Sequence, residues 1–420
     1  MNRKSSALAL LAVMFLFGAR AQIYDTNNIA VQTFAGSGFS GYLDGQGQQT
    51  MFDNPAGVVA DSQGNLFVAD SHNNRVREIT PSGIVTTFAG GGVQLPAFGT
   101  NASLILDYGE GNTATLAIDH SNVLWITAPP GFITIHPNGY VSATTNAPGI
   151  SVPSGICFDS QNNLYYSDVS GNRIYRWKTN GTVEVFAGSG NQGAADGNGL
   201  FTSFNQPAAL SADAADNIYV WDSWNQLIRR ISQNRDVVTI AGGATGDTDG
   251  TGTSAGFTHV RSMYFDNTGN LILAGGSPGA IFIGSYIRKM TASTNVTTIA
   301  GSFDQTGFTN GTGSLARFSG VSGVCVSQGA IFIGDTSNQR IRKITFDPAP
   351  QPVSGANLQL QLYPGLQIIG EVGRAYQIQT SPDMSNWTAH ATILLNSSPF
   401  LWIDQNPVTG SKFYRALLLP

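Results

Sequence analysis

Residues 55–90 run Pro55-Ala-Gly-Val-Val-Ala60, Asp61-Ser-Gln-Gly64, Asn65-Leu-Phe-Val-Ala-Asp70, Asn73-Asn-Arg-Val-Arg77, Pro81-Ser-Gly83 and Val85-Thr-Thr-Phe-Ala-Gly90. This is four short β-prone runs separated by turn residues. Asp-x-x-Gly and Pro-Ser-Gly supply the positive-φ and pre-bent positions that tight turns require. The same phrases recur outward along the chain. The last run returns as Val31-Gln-Thr-Phe-Ala-Gly36, Val183-Glu-Val-Phe-Ala-Gly188, Val237-Val-Thr-Ile-Ala-Gly242 and Val296-Thr-Thr-Ile-Ala-Gly301, with a worn copy at Val141-Ser-Ala-Thr-Thr-Asn146. The second run returns as Asn163-Leu-Tyr-Tyr-Ser-Asp168, Asn217-Ile-Tyr-Val-Trp-Asp222 and Ala330-Ile-Phe-Ile-Gly-Asp335, and more weakly as Val123-Leu-Trp-Ile-Thr127 and Asn270-Leu-Ile-Leu-Ala274. A basic-apolar run follows most of them, as in Arg173-Ile-Tyr175, Leu227-Ile-Arg229, Ile287-Arg-Lys289 and Arg340-Ile-Arg-Lys343, with Phe132-Ile-Thr-Ile135 in that slot of the second unit.

Six copies of a four-stranded unit, spaced by about 53 residues, predict an all-β, six-bladed β-propeller. The order of the phrases predicts how it closes. The run at Val31 has no earlier partners, and the run at Arg340 has no fourth strand after it. The N-terminal strand is therefore expected to complete the last blade, which leaves only short outer edges. The propeller is expected over residues 29–346. A Pro-rich linker follows at 347–355, and a small β-sandwich-like domain at 356–420, where Leu358–Leu362, Tyr376–Thr380 and Phe413–Leu417 alternate with period two.

Asp44-Gly-Gln-Gly47, Phe52, Pro55-Ala-Gly57, Asp61, Gly64-Asn-Leu-Phe-Val-Ala-Asp70 and Asn73-Asn-Arg-Val-Arg77 resemble the NHL repeat almost position for position. The likeness spans residues 30 to 346. It weakens in unit two, which lacks the Asp and Asn-Arg elements, and in unit five, which has extra residues around Gly275 to Gly284. At the C-terminus Tyr376-x-Ile378-x-x-Ser381, Asn386-Trp387, Asp404 and Phe413-Tyr414-Arg415 resemble small β-sandwich modules of bacterial secreted proteins, which implies a bacterial source and a surface or export role.

Composition agrees with this class. Charged residues make up 11% of 420, and there are 50 glycines. Met1–Ala21 reads as a signal peptide, with Arg3 and Lys4, an apolar run from Ala7 to Phe17, and Ala19-Arg20-Ala21 before the cut. Its removal takes away three basic residues and no acid, leaving 18 basic against 26 acidic side chains and a net charge of −8. That charge speaks against sequence-independent nucleic-acid binding. No later stretch is long and apolar enough to span a bilayer as a helix. A secreted or periplasmic monomer is expected. Cys157 and Cys325 occupy the same slot of their first strands, in opposed units, and are expected to stay unpaired and buried.

In a propeller the loops from fourth strand to next first strand share a face with those from second to third strand. Here they include Asp44-Gly-Gln-Gly47, Asp196-Gly-Asn-Gly199, Asp249-Gly-Thr-Gly252 and Asn310-Gly-Thr-Gly313. A protein or carbohydrate ligand is expected on that face or at its channel mouth. Trp224, Asp222, His259, Arg261, Asp70, His72, Asp168 and Asp335 are the candidate ligand-binding residues. The four acids recur in good repeats, so each has a structural reading as well, as an acceptor for turn N–H groups and a partner for a nearby Arg. Trp224 and the pair His259 and Arg261, which replace the Pro-x-Gly pattern, do not recur. Calcium at the Asp-Gly-x-Gly loops would need six to eight oxygens, and each motif offers at most one carboxylate. No cofactor is therefore assigned. The repeated architecture, the polar loop face and the appended β-module lead to the expectation of a secreted or surface-attached binding scaffold. The resemblance also leaves open a lactonase- or lyase-like propeller enzyme with a divalent metal in the channel, since relatives of those kinds hold metal with several histidines or with Glu, Asn and Asp.

Overall fold

A computed structural model describes residues 29–91, 104, 106, 114–129, 131–144, 152–276, 284–346, 365–396, 400–403 and 413–419. The proposed signal peptide, the Pro-rich linker and the expected strand at Leu358–Leu362 lie outside them. The chain divides into two compact units, with the break between Ala349 and Pro350. Among the described residues no helix is long and apolar enough to cross a membrane.

The first unit begins from its turns. Asp61 Oδ1 accepts the N–H groups of Gln63 (2.9 Å) and Asn65 (2.8 Å), and Oδ2 accepts from the Asn65 side chain (2.9 Å). Asp159, Asp213 and Asp266 build the same Asp-x-x-x-Asn turn. Such turns fix the register of the first and second strands, because the Asp side chain does for the turn what a ladder bond does for a strand. In the first sheet they join Pro55–Ala60 to Leu66–Asp70, followed by Arg75–Ile79 and Ile84–Gly90.

Six sheets of this kind, of four or five strands, are present among the described residues of the first unit. Their first strands touch in cyclic order. Pro55–Ala60 meets Leu116–Ile118, then come Pro153–Phe158, Pro207–Ala212, Val260–Phe265 and Val321–Ser327, and the last returns to Pro55–Ala60. The core follows that cycle, with one apolar cluster between each pair of neighbouring sheets. Val58 and Val68 pack with Cys325 and Phe332, for example, and Ile272 and Ile287 with Val324 and Ile333. The first unit is a propeller, and its stability lies in sheet-to-sheet interfaces rather than in one central core.

The ring closes as the phrase order predicts. Ile29–Ala35 lies antiparallel to Arg340–Phe346, with Ile29 opposite Phe346 and Val31 opposite Ile344. The strand alternates, with Ile29, Val31 and Ala35 buried and Ala30 and Gln32 exposed. It adds a fourth strand to the sheet of Val321–Ser327, Ala330–Asp335 and Arg340–Phe346.

The Asp-Gly-x-Gly segments are not free loops. Gly45–Gln46, Gly197–Asn198, Gly250–Thr251 and Gly311–Thr312 each pair with an outermost strand as a short fifth edge strand. The first three then turn through a glycine at left-handed φ, Gly47 at +51°, Gly199 at +48° and Gly252 at +58°. The expectation that they belong to the ligand face is corrected. The preceding fourth strand ends at the outer rim, and the chain must run along the next sheet's edge before turning inward.

In the second unit Gly365–Ile368 pairs with Phe400–Ile403, and Ala375–Ser381 lies between Thr388–Leu394 and Phe413–Leu418. Its core holds Ile368, Tyr376, Ile378 and Leu395. Two strands were legible in the alternation. Gly365–Ile368, Thr388–Leu394 and Phe400–Ile403 were not.

Candidate functional site: the axial channel

The first strands enclose a channel of about 860 Å³. That volume lies in the usual range for small-molecule pockets. Its lining includes His120, Ser154, Cys157, Gln206, Trp224, Gln226, His259 and Arg261. No Asp or Glu occurs among the described lining residues.

Three of the eight candidates come together here. Trp224 sits in the turn after Ile218–Asp222 and is 69% exposed. Arg261 is exposed on the first strand of the fifth sheet, and His259 is half-buried just before it. Burial, then the charge of Arg261, hold the His259 imidazole down at about 4, against the opposite pull of Asp247, so the ring is neutral near pH 7.

Asp70, Asp222 and Asp335 are fully buried and turn inward. Asp70 Oδ1 accepts the Asp53 N–H at 2.7 Å, while Oδ2 accepts from Asn73 at 2.8 Å and from Arg77 at 2.8 Å. Arg77, with no exposed surface, also donates to Asp44 at 2.6 Å and to the carbonyls of Met51 (3.0 Å) and Leu43 (3.1 Å). Asp222 with Arg229 and Asp196, and Asp335 with Arg342 and Asn310, repeat this arrangement. These acids fasten the second strand, the third strand and the edge strand of each sheet together. Burial raises the carboxyl pKa of all three, against the pull of their hydrogen bonds and Arg partners.

Asp168 departs from the pattern. It is buried and accepts the Gly171 N–H at 3.1 Å, but seven residues on stands Tyr175, stacked on Tyr166 with ring centroids 5.3 Å apart. His72 lies on the short turn Ser71–Asn73, with Nε2 2.9 Å from the Asn54 side chain and Nδ1 3.4 Å from Asp53. It does not line the channel.

The two thiols are free, and burial raises both pKa values. Cys325 is buried as expected. Cys157 is half-buried rather than buried, because its strand borders the channel void. A divalent metal does not fit the described residues. The lining offers two histidines and no carboxylate, and no group of three His, Cys, Asp or Glu could hold an ion. The edge-segment acids Asp44, Asp196 and Asp249 are bound to Arg77, Arg229 and Arg288.

Gln206, Gln226 and Ser154 were not singled out from the sequence. Their turns and first strands look alike in every unit, and strand alternation does not distinguish a channel-facing side chain from one between sheets.

The NHL repeat family pattern matches residues 52–79, the stretch that holds Asp70 and Arg77. The chain carries an NHL repeat within its propeller. NHL repeat-containing protein 2 of Homo sapiens is 26% identical over 345 residues, 75% of this chain and 42% of that protein. The chain spans between 26% and 42% of the length of curated relatives it matches. A structural genomics protein of unknown function from Bacteroides thetaiotaomicron superposes with a TM-score of 0.58 at 20% identity, covering 76% of both chains. An auxiliary nutrient binding protein from the same organism superposes at 0.56 with 17% identity, covering 76% of this chain and 77% of its own. At these identities the likeness is one of fold.

Proposed function

We propose that this NHL-repeat propeller is an exported recognition module, with six blades, that takes a ligand in its axial channel and at the channel mouth. The observation that carries the reading is the lining itself. It combines hydroxyl and amide side chains, an exposed indole and one guanidinium, which suits binding, and it lacks among its described residues the converging carboxylates that acid–base or metal chemistry would use. Export would remove Met1–Ala21, so material recovered outside the producing cell should begin at Gln22.

The competing reading is a lactonase- or lyase-like enzyme with a channel metal. Elemental analysis of the purified chain after exhaustive dialysis tests the choice. Less than about one tenth of a metal ion per chain is expected. One divalent ion retained per chain would overturn the binding reading in favour of the enzyme.

A further inference from the structure

The fifth sheet is built differently from the others at the channel. Each first strand except that of the second sheet opens with the same bridge and bulge. Pro55 lies opposite Asp70, Pro153 opposite Asp168, Pro207 opposite Asp222, Val260 opposite Gly275 and Val321 opposite Asp335. This register makes the next residues equivalent. They are Ala56, Ser154, Ala208 and Ser322 in four sheets, and Arg261 in the fifth. The fifth sheet therefore makes two exchanges at once. A strand-end carboxylate becomes Gly275, and a small neutral residue becomes an arginine.

The loss of the carboxylate is compensated from elsewhere. In the regular sheets the strand-end acid accepts the N–H two residues before the first strand, as Asp70 does from Asp53 and Asp222 from Asn205. In the fifth sheet Asp247, from the crossing segment, accepts the Thr258 N–H at 2.9 Å and the Tyr286 hydroxyl at 2.5 Å. Gly275 has no room for a side chain, since a Cβ there would lie 2.2 Å from the His259 carbonyl oxygen. The acid's hold on the N–H before the first strand is thus kept, while Arg288 turns to Asp249 and the residues at the channel change.

The outcome is a single formal charge in the described channel lining, and it is positive in a chain of net charge −5. A guanidinium pairs with a planar anion through two parallel hydrogen bonds. Trp224 adds an exposed indole face on the same cavity, suited to the C–H face of a sugar ring, and Ser154, Gln206 and Gln226 add polar groups for hydroxyls.

We propose that the channel binds a small acidic carbohydrate, its carboxylate on Arg261 and a ring face on Trp224. This rests on the channel-binding reading above and adds the ligand's charge and class. The test is calorimetric titration of the full chain with digalacturonate and with its neutral methyl ester. The acid is expected to bind about tenfold tighter or more at low salt, with the gap narrowing at high salt. Arg261→Gln should abolish that preference by weakening the acid far more than the ester, and Arg261→Lys should keep part of it. Trp224→Ala should weaken both ligands by about tenfold. Unchanged unfolding midpoints show that each variant is folded. Equal affinity for acid and ester, or a preference surviving in Arg261→Gln, overturns the assignment of an acidic ligand, while Trp224-dependent binding of the ester would leave the channel-binding reading standing. Failure of both ligands to bind at millimolar concentration overturns the carbohydrate assignment, and the metal analysis then judges the broader reading by itself.

Discussion

Replacing Asp222 by Ala tests what holds each sheet to its edge strand. Asp222 is fully buried; its Oδ1 accepts the Asn205 N–H at 2.7 Å, and its Oδ2 accepts from Asn225 and Arg229, each at 2.8 Å. Arg229 is also fully buried and keeps Asp196 at 2.7 Å, with the carbonyls of Ala195 (3.0 Å) and Ser203 (3.2 Å). The variant leaves a buried guanidinium with one partly exposed counter-charge and orphans the Asn205 N–H. Breaking a buried pair by removing one partner costs about 3–5 kcal/mol, and the surviving Asp196 contact favours the lower end. Unfolding entropy of about 2.1 cal/mol/K per residue, over a unit of roughly 320 residues, gives about 0.7 kcal/mol/K. A fall in midpoint of about 4–5 °C follows, read by calorimetry or circular dichroism. Adding Arg229→Met removes the uncompensated charge and should recover part of the loss, because the Arg229 guanidinium already lies over the Phe204 ring, 5.2 Å from its centroid. An Asp222→Ala midpoint within 1 °C of the parent, or a double variant no better than the single one, would refute the reasoning.

Two further outcomes follow from the same geometry. Val31→Asp places a carboxylate among the buried residues of the closing strand and should cost at least about 3 kcal/mol, whereas Gln32→Asp on its exposed side should stay within about 0.5 kcal/mol; equal effects in denaturant titrations would contradict the closure register. His259 has its pKa lowered from 6.5 to about 4 in the folded chain, so its contribution to stability is complete above pH 6.5 and is lost as pH falls from 6.5 towards 4. Arg261→Gln should move the imidazole titration upward in NMR spectra, and a parent His259 titrating near 6.5 would show that neither burial nor Arg261 acts on it.

The propeller was legible because its turns carry their own chemistry. Asp61-Ser-Gln-Gly64 marks the first hairpin in the sequence, the structure shows Asp159, Asp213 and Asp266 building the same turn, and the unpaired phrases at Val31 and Arg340 announce the closure. The edge segments were legible as motifs but not as places. Asp44-Gly-Gln-Gly47 looks the same whether it faces a ligand or an edge, and only the pairing of Gly45 with Val85 decides. The site was half legible. Arg261 stood out by breaking a repeat and Trp224 by being unique, whereas His259 lies one residue before the Pro-x-Gly slot, which Val260-Arg261-Ser262 fill. The rest of the lining belongs to strands whose alternation reads identically towards a channel and towards a neighbouring sheet.

The repeat divides labour between strands, and this explains where variation can occur. The Asp–Arg fastening draws on the second strand, the third strand and the edge segment, so it asks little of the first strand, which borders the channel. A first-strand residue can then change from Ala56 or Ser154 to Arg261 without touching the fastening. Where the strand-end acid itself is lost, at Gly275, Asp247 accepts the N–H it would have held, and Arg288 still reaches Asp249 at 2.9 Å. The fifth sheet thus keeps its mechanical connections while presenting different chemistry to the channel. A fold that stores its stability between sheets and at its rim leaves its axis open to substitution, and Arg261 is where this chain has used that freedom.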